Sequence, residues 1–575
     1  MGREDSHYRP EGVDGRRSVG SGSGGATGRV SVPGANLPHR PAPASGSARV
    51  TPAGDPAAAP VSWPGAPGPI PVSPPVPPVG AAPAPPAPPA APPPRRRGRL
   101  LVALAGVLVL VLAVAGLAVL RPGPVARLLG GEATPSGATA APPEPDPPVV
   151  LAGPDGNAPL PTDAGIRAAL EPLVGAAALG DRVNVSVADV ATGEALYGKG
   201  PDAPTVPASV TKLATGVAVL AARGPAYRIP TRAVAGPNPG EVVLVGGGDP
   251  TLAVDKNGFY PGAARLDDLA AQVRDALGGT APTKVIVDSS LFTGPVFEPG
   301  WDADIPTGGF GAAITALMTD GARKDPALAR RTAEETNHAA ERVPQPDLTA
   351  GRQFAKLLGL TGGAAQVTRG AAPTAGGSGS AGPAPGTELG KVESLPVIRL
   401  VDIMISDSDN VIAEVMARQV ALAKGKPGSF AGGAAATDEV LGELGLPAGE
   451  ISLADGSGLS RTNRISPSLL TDLITLAGNG SHPELAAIFG GLPVGGWSGT
   501  LDERYRAAAT AAGAGVVRAK TGTLTGVNAI AGTVLTADGR LLTFAVLTDR
   551  TQGSLDETRQ ALDRITAALA GCGCR

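Results

Sequence analysis

Residues Leu100 to Leu120 form an unbroken run of Leu, Val, Ala and Gly without a charge, and Arg95, Arg96, Arg97 and Arg99 stand directly before it. At about 1.5 Å of helical rise per residue, such a run matches the roughly 30 Å hydrocarbon core of a bilayer. A buried core helix is the competing reading, but such helices are usually shorter and rarely carry four Arg at one end. The run therefore predicts a transmembrane helix at 100–120. Its Arg-rich flank keeps the preceding segment cytoplasmic, so everything after residue 120 is exported. A cleaved signal peptide fits less well, because a long leader precedes the run.

The span divides the chain into unlike parts. Of the 61 Pro, 24 lie before residue 95, and large apolar residues are almost missing there, so 1–94 reads as a disordered Pro/Gly-rich cytoplasmic tail. That tail is a solvated spacer or, through polyproline II segments, a ligand for a cytoplasmic partner. Residues 121–162 repeat the small and Pro-rich composition and read as an extracytoplasmic linker. The remaining residues hold enough apolar side chains for a sizeable core. The net charge is −3 and no long basic stripe occurs, so nucleic acid is not an expected partner. Cys572 and Cys574 are the only cysteines, which excludes a disulfide framework; a bond to each other or to another chain is the alternative to the expectation that they tip a frayed end. The four His (His7, His39, His338, His482) show no metal-ligand spacing and no triad context. No metal or cofactor is called for, and a serine nucleophile here would need a base other than His, for which Lys is the natural candidate.

The folded part starts near Asp163 with an amphipathic helix over Gly165–Val174. A hairpin follows, with Val183–Val187 alternating apolar and polar and Ala195–Tyr197 returning after Ala191-Thr192-Gly193. At the other end Val516–Ala519, Val527–Leu535 and Leu541–Leu547 read as strands, and a helix runs from about Leu555 to Leu569. Strands from both ends predict one antiparallel sheet covered by helices, an α/β arrangement, with the middle of the chain in separate lobes. Residues 371–386 read as a low-complexity surface loop.

Three short motifs carry chemistry. Ser209-Val210-Thr211-Lys212 opens a helix striped by Leu213, Val217 and Leu220, which places Ser209 and Lys212 one turn apart on one face. A neutral Lys212 amine could take the Ser209 proton there. Alone the pair is weak evidence, since such a Ser is often a helix cap. Ser408-Asp409-Asn410 is the only S-x-N in the chain and Lys520-Thr521-Gly522 the only K-T-G, and the three follow the order of penicillin-recognising serine enzymes. Arg outnumbers Lys in this chain, yet both basic motif positions hold Lys. Arg could not serve at 212, because a guanidinium stays protonated whereas a desolvated amine beside another cation, such as Lys520, can lose its proton.

With these motifs the sequence resembles the low-molecular-mass class C penicillin-binding proteins, the D-alanyl-D-alanine carboxypeptidase/endopeptidase family grouped as peptidase family S13. Further stretches look like that family's signatures: Val245-Gly246-Gly247-Gly248-Asp249-Pro250-Thr251-Leu252, Ala454–Arg461 with Ile465-Ser466-Pro467, and Leu492–Gly496 with Gly499-Thr500-Leu501. The resemblance covers about 163–570 and leaves the tail and span to composition alone. It implies a serine β-lactamase/penicillin-binding-protein-like transpeptidase fold, with a catalytic domain of 163–222 and 396–570 and inserted β-rich lobes within 223–395. The glycine run of Gly246–Gly248 reads as a tight turn rather than a phosphate loop, because no G-x-x-x-x-G-K-[ST] is present.

The resemblance also implies roles. Ser209 would be the nucleophile, Lys212 its base and Ser408 a proton relay to the departing amine. Asn410 would hold the substrate amide, and Lys520 with Thr521 would bind the terminal carboxylate. Gly522 would let the strand approach closely, and the backbone N–H groups of Ser209 and Thr523 would form the oxyanion hole. The implied substrate is a peptidoglycan stem peptide ending in D-Ala-D-Ala, with β-lactams as covalent inhibitors. Carboxypeptidase and endopeptidase action are not separated by sequence. A serine β-lactamase or esterase on the same fold, and a non-catalytic wall-binding or β-lactam-sensing protein, remain as alternatives.

Overall fold

A computed structural model describes residues 156–360, 367–376 and 383–574. The apolar run 100–120, the tail 1–94 and most of the linker 121–162 lie outside the described residues, as does the middle of the loop 371–386. Among the described residues no helix is long and apolar enough to cross a membrane.

In chain order the elements begin with helix α1 (Asp163–Val174) and strands β1 (Val183–Asp189) and β2 (Ala195–Lys199), then helix α2 (Thr211–Arg223). The middle of the chain gives β3 (Pro230–Ala235), β4 (Glu241–Val245), α3 (Leu266–Ala276), β5 (Lys284–Asp288), α4 (Pro346–Leu357), β6 (Val367–Arg369) and β7 (Glu388–Glu393). Helices α5 (Val397–Ser406), α6 (Asn410–Ala423) and α7 (Phe430–Glu443) follow, then a short pair β8 (Ile451–Ser452) and β9 (Arg464–Ile465), and α8 (Pro467–Gly478). The chain closes with β10 (Val517–Leu524), β11 (Val527–Leu535), β12 (Leu541–Thr548) and α9 (Leu555–Ala570).

The two ends meet in one antiparallel sheet of order β10-β11-β12-β1-β2. Apolar residues on one face, among them Val185, Val187, Ile530, Phe544 and Val546, pack against Ile166 and Leu170 of α1 and Leu562 and Ile565 of α9. The opposite face meets a helical layer formed by α2, α5, α6, α7 and α8. Alternation along Val183–Val187 identifies the strand correctly but suggests a solvated face, whereas every residue of β1 is buried. Its polar positions are therefore hydrogen-bonded inward: Asn184 Nδ2 donates to Thr205 Oγ1 at 2.7 Å, and Ser186 Oγ lies 2.9 Å from Thr471 Oγ1. Leu213, Val217 and Leu220 of α2 are fully buried, each contributing about 1.5–3 kcal/mol of transfer free energy.

The inserted segment forms a second sheet of order β6-β5-β4-β3-β7. Two of its pairings, β4 with β5 and β5 with β6, are parallel. Parallel neighbours need a crossover, and α3 and α4 supply it, so helices accompany the expected β structure. Their Leu269, Val273 and Phe354 bury one face of the sheet with Val242, Leu244 and Val285.

The C-terminus is not frayed. Cys572 is buried in the core beneath α9, the two cysteine sulfurs adjoin, and the Cys574 carbonyl accepts a hydrogen bond from Thr162 N at 2.7 Å. The end of α9 is thereby tied to the start of α1.

Candidate active site

Ser209 does not lie in the first turn of α2, as its spacing from Lys212 suggests. It lies in a single 3-10 turn, Ala208–Val210, that feeds into α2 at Thr211. Ala208 has a positive φ of 47°, and its carbonyl accepts from Thr211 Oγ1 at 2.8 Å, which fixes the turn. The loop 455–460 presses on it from outside: a Cβ on Gly458, whose φ is +86°, would stand 1.9 Å from the Ala208 carbonyl oxygen. Only glycine fits there.

Lys212 is fully buried, and its Nζ meets three oxygens: Ser209 Oγ at 2.9 Å, Asn410 Oδ1 at 2.6 Å and the Ser457 carbonyl at 2.8 Å. The Asn410 amide is oriented by its Nδ2, which donates to the Phe310 carbonyl at 3.0 Å, so Oδ1 faces the lysine. Burial lowers the Lys212 pKa to about 8, against the opposing pull of Asp455, Glu414 and Asp409.

Lys520 is the second buried amine. Its Nζ donates to Ser408 Oγ at 2.9 Å and to the Thr521 carbonyl at 2.8 Å. Burial and the neighbouring Lys212 hold it well below the ordinary lysine range. The two amines therefore compete for protons, as the pairing of Lys residues in the motifs suggests. Ser408 adopts a positive φ of 57°, an uncommon conformation for a residue with a Cβ.

The strand carrying Lys520 continues past Gly522 to Leu524 rather than ending at the motif. It is an edge strand. Gly495 N donates to the Val517 carbonyl and Ala519 N donates to the Pro493 carbonyl on the outer side. By the two-residue alternation of a strand, the backbone groups of Thr521 and Thr523 point the same way, past the end of that loop. Thr521 Oγ1 lies 2.8 Å from Thr500 Oγ1. A Cβ on Gly522 would stand 2.7 Å from the Pro207 carbonyl oxygen and 3.0 Å from Ser209 N, so the strand comes as close to the serine turn as a backbone can. The structure thus gathers Ser209, Lys212, Ser408, Asn410, Lys520 and Gly522 at one place, with Thr521 and Thr523 on the adjoining edge.

Several residues at this place were not assigned a role from sequence. Ser457 contributes a backbone carbonyl, which leaves no trace in residue type. Asp455 is buried and accepts from Gly458 N at 2.8 Å, Ser460 N at 2.7 Å, Asn463 Nδ2 at 2.7 Å and Trp301 Nε1 at 2.8 Å, so it shapes the loop that presents Ser457. Glu414, one turn into α6, accepts from Ser457 N at 2.9 Å, and burial with the nearby Asp455 raises it to about 7. The signature Ala454–Arg461 marked this loop but not what it does.

The chain is similar to known proteins over most of its described residues. The profile of the D-Ala-D-Ala carboxypeptidase 3 (S13) family covers residues 166–339 and 328–569. A carboxypeptidase of Mycobacterium tuberculosis is 38% identical over 449 residues, spanning 76% of this chain and 91% of that protein. Carboxypeptidase DacB of Mycolicibacterium smegmatis is 37% identical over 489 residues, spanning 84% of this chain and 99% of that protein. Among solved structures, penicillin binding protein 4 of Haemophilus influenzae superposes with a TM-score of 0.53 at 21% identity, covering 71% of this chain and 98% of that one, which shows the shared fold. The motifs in their expected order, the sheet closed by both chain ends and the profile match over most of the described residues place this chain in the D-Ala-D-Ala carboxypeptidase 3 (S13) family.

Proposed function

We propose that this protein is a serine D-Ala-D-Ala carboxypeptidase that acts on peptidoglycan stem peptides through an acyl-enzyme on Ser209. The observation that carries the reading is the set of partners around Lys212. A neutral amine has two N–H donors and one lone pair. Two of its three partners, Asn410 Oδ1 and the Ser457 carbonyl, can only accept. The third is the Ser209 hydroxyl, which can donate. A deprotonated Lys212 therefore has its lone pair aimed at the Ser209 proton, and its pKa of about 8 leaves part of it neutral near pH 7.

Ser209 Oγ attacks the carbonyl carbon of the penultimate D-Ala while its proton passes to Lys212. Negative charge on the carbonyl oxygen is met by the N–H groups of Ser209 and Thr523, and each such donor contributes about 2.7–4 kcal/mol in the transition state. As the C–N bond breaks, the proton that Lys212 took from Ser209 passes by way of the Ser408 hydroxyl, whose Oγ is itself held by Lys520, to the departing D-Ala amine, and Lys212 is neutral again. The carboxylate of that D-Ala pairs with Lys520 and Thr521, and a carboxylate arriving beside Lys520 restores its preference for the charged form. Asn410 positions the substrate amide. Water then attacks the ester, Lys212 takes its proton, and as the acyl C–O bond breaks that proton returns to Ser209 Oγ and the serine is released.

β-Lactams would acylate the same serine. A structure of the Haemophilus influenzae penicillin binding protein 4 holds a β-lactam. The run 100–120 supports a single membrane anchor with the N-terminus inside and the catalytic part outside. The test is release of D-Ala from a stem pentapeptide, with a cross-linked dimer alongside. Steady release from the pentapeptide supports the carboxypeptidase reading, cleavage of the dimer adds endopeptidase action, and a stoichiometric burst without turnover overturns the reading in favour of a sensor.

A further inference from the structure

Asp409, the middle residue of Ser408-Asp409-Asn410, has no role in the chemistry above, yet it is among the most fully bonded groups in the molecule. It is buried, and its Oδ1 accepts from Val411 N at 2.9 Å and Ile412 N at 3.0 Å, capping α6. Its Oδ2 accepts from Tyr260 Oη at 2.7 Å and Arg323 Nη2 at 3.2 Å. Tyr260 and Arg323 both come from the inserted segment, both are buried, and Arg323 Nη1 donates to Tyr260 Oη at 2.7 Å, closing a three-membered cluster. The Arg323 guanidinium lies over the Phe259 ring at 3.6 Å.

The turn that presents Arg323 is built for that purpose. Asp320, Gly321 and Ala322 all have positive φ, at 52°, 62° and 64°. Consecutive left-handed residues with side chains persist only where their surroundings hold them. A Cβ on Gly321 would stand 2.7 Å from Arg323 Nη1 and 2.8 Å from Tyr260 Oη, so the cluster itself demands glycine. The turn is gripped by the glycine-rich signature: Gly321 N donates to the Pro250 carbonyl and Asp320 N to the Leu252 carbonyl, each at 2.8 Å. The same signature is fastened to α6, where Gln419 Nε2 donates to the Gly247 carbonyl at 2.9 Å.

We infer that Tyr260 and Arg323 are positioning residues for acylation, which hold Asp409 so that Ser408, in its left-handed conformation, meets Lys520 and Asn410 meets Lys212. The stretch Val245–Leu252 serves to present Arg323. The inserted segment is on this view part of the catalytic apparatus, touching the S-D-N turn at Asp409 and, through the Phe310 carbonyl, at Asn410. The inference rests on the roles proposed for Ser209, Lys212, Ser408 and Asn410.

Stopped-flow reaction of the full-length protein with a fluorescent penicillin separates the limiting acylation rate from the dissociation constant of the initial complex. Tyr260→Phe keeps the buried ring and loses the hydrogen bond to the Asp409 carboxylate and the one accepted from Arg323 Nη1, so acylation should slow about tenfold. Arg323→Met should slow it about a hundredfold, and Arg323→Lys should recover part of that loss. In each case the dissociation constant stays within about twofold. A folded Tyr260→Phe protein that acylates at the wild-type rate overturns the inference, as does a loss confined to the dissociation constant. If Arg323→Met does not fold, Tyr260→Phe carries the test. Ser209→Ala, run alongside, separates the two readings: wild-type protein without an adduct on Ser209 overturns both, whereas an adduct with unaffected clamp variants overturns only this one.

Discussion

The sheet closed by the chain's two ends is wholly antiparallel, has its central strands β1, β11 and β12 buried on both faces and carries Lys520, Thr521, Gly522 and Thr523 on its edge strand. The sheet of the inserted segment mixes parallel with antiparallel pairings, packs two crossover helices on one face and carries none of the three motifs. The first places reacting groups directly. The second reaches the site through the loops after its strands, by a carbonyl at Phe310 and side chains at Tyr260, Trp301 and Arg323. Substitutions in the first sheet and its helices should therefore change chemistry, while matched substitutions in the second sheet should change only its own stability.

The largest contrast is between two lysines. Lys212→Met removes the proposed base and should lower penicillin acylation by about 10³–10⁴-fold. Lys284→Met, in the inserted sheet, breaks only a partly exposed pair with Glu241 at 3.3 Å and should leave acylation unchanged. Loss of acylation in the second variant would break the division.

Next in size is a pair of stability measurements. Asp189 on β1 and Arg540 are both buried and joined by two bonds, 2.6 and 2.7 Å. Asp189→Asn takes the carboxylate away from a buried guanidinium and should cost about 3–5 kcal/mol in denaturant unfolding. Asp347 is paired with Arg369 at 2.6 Å, but that Arg is half exposed, so Asp347→Asn should cost about 1 kcal/mol or less.

Two glycines sharpen the contrast further. Gly522→Ala places a methyl 2.7 Å from the Pro207 carbonyl oxygen and 3.0 Å from Ser209 N, so the strand and the serine turn must move apart, which should slow acylation by tens of fold, about 2 kcal/mol. Gly351→Ala meets Val287 Cγ2 at 2.4 Å in the inserted lobe and should lower Tm without altering acylation in the folded fraction.

The pH dependence tests the same division without a change at the site. Lys212 accepts a proton only when neutral, and burial has brought its pKa to about 8, so acylation should fall below that pH by about tenfold per unit. Lys391 in the inserted sheet is exposed and held in its charged form by Glu393. Lys391→Met should leave the acid limb in place, as read from the acylation rate between pH 5 and 9.

Much of the first region was legible in the sequence because its parts are local. Period-two alternation marks β1, an i, i+3 pair marks Ser209 and Lys212, and tripeptides mark the other two walls of the site. Burial of Asn184 and Ser186 was not legible, since alternation cannot report that helices cover the second face. The contributions of Ser457 and Phe310 are backbone carbonyls, which residue type does not encode. Arg323 and Tyr260 were hidden for another reason: they meet Asp409 across 86 and 149 residues of chain, through a left-handed turn that only packing sustains. The frayed C-terminus expected from Gly-Cys-Gly-Cys-Arg was replaced by a tied one, because a hydrogen bond from Thr162 captures the Cys574 carbonyl.

The central claim is that Ser209, deprotonated by Lys212, forms the acyl-enzyme. Peptide mass spectrometry of the full-length protein after incubation with a penicillin, with Ser209→Ala in parallel, tests it most directly. One penicilloyl adduct is expected, located on Ser209 and missing from the variant. An adduct on another residue, or none on folded protein, would contradict it.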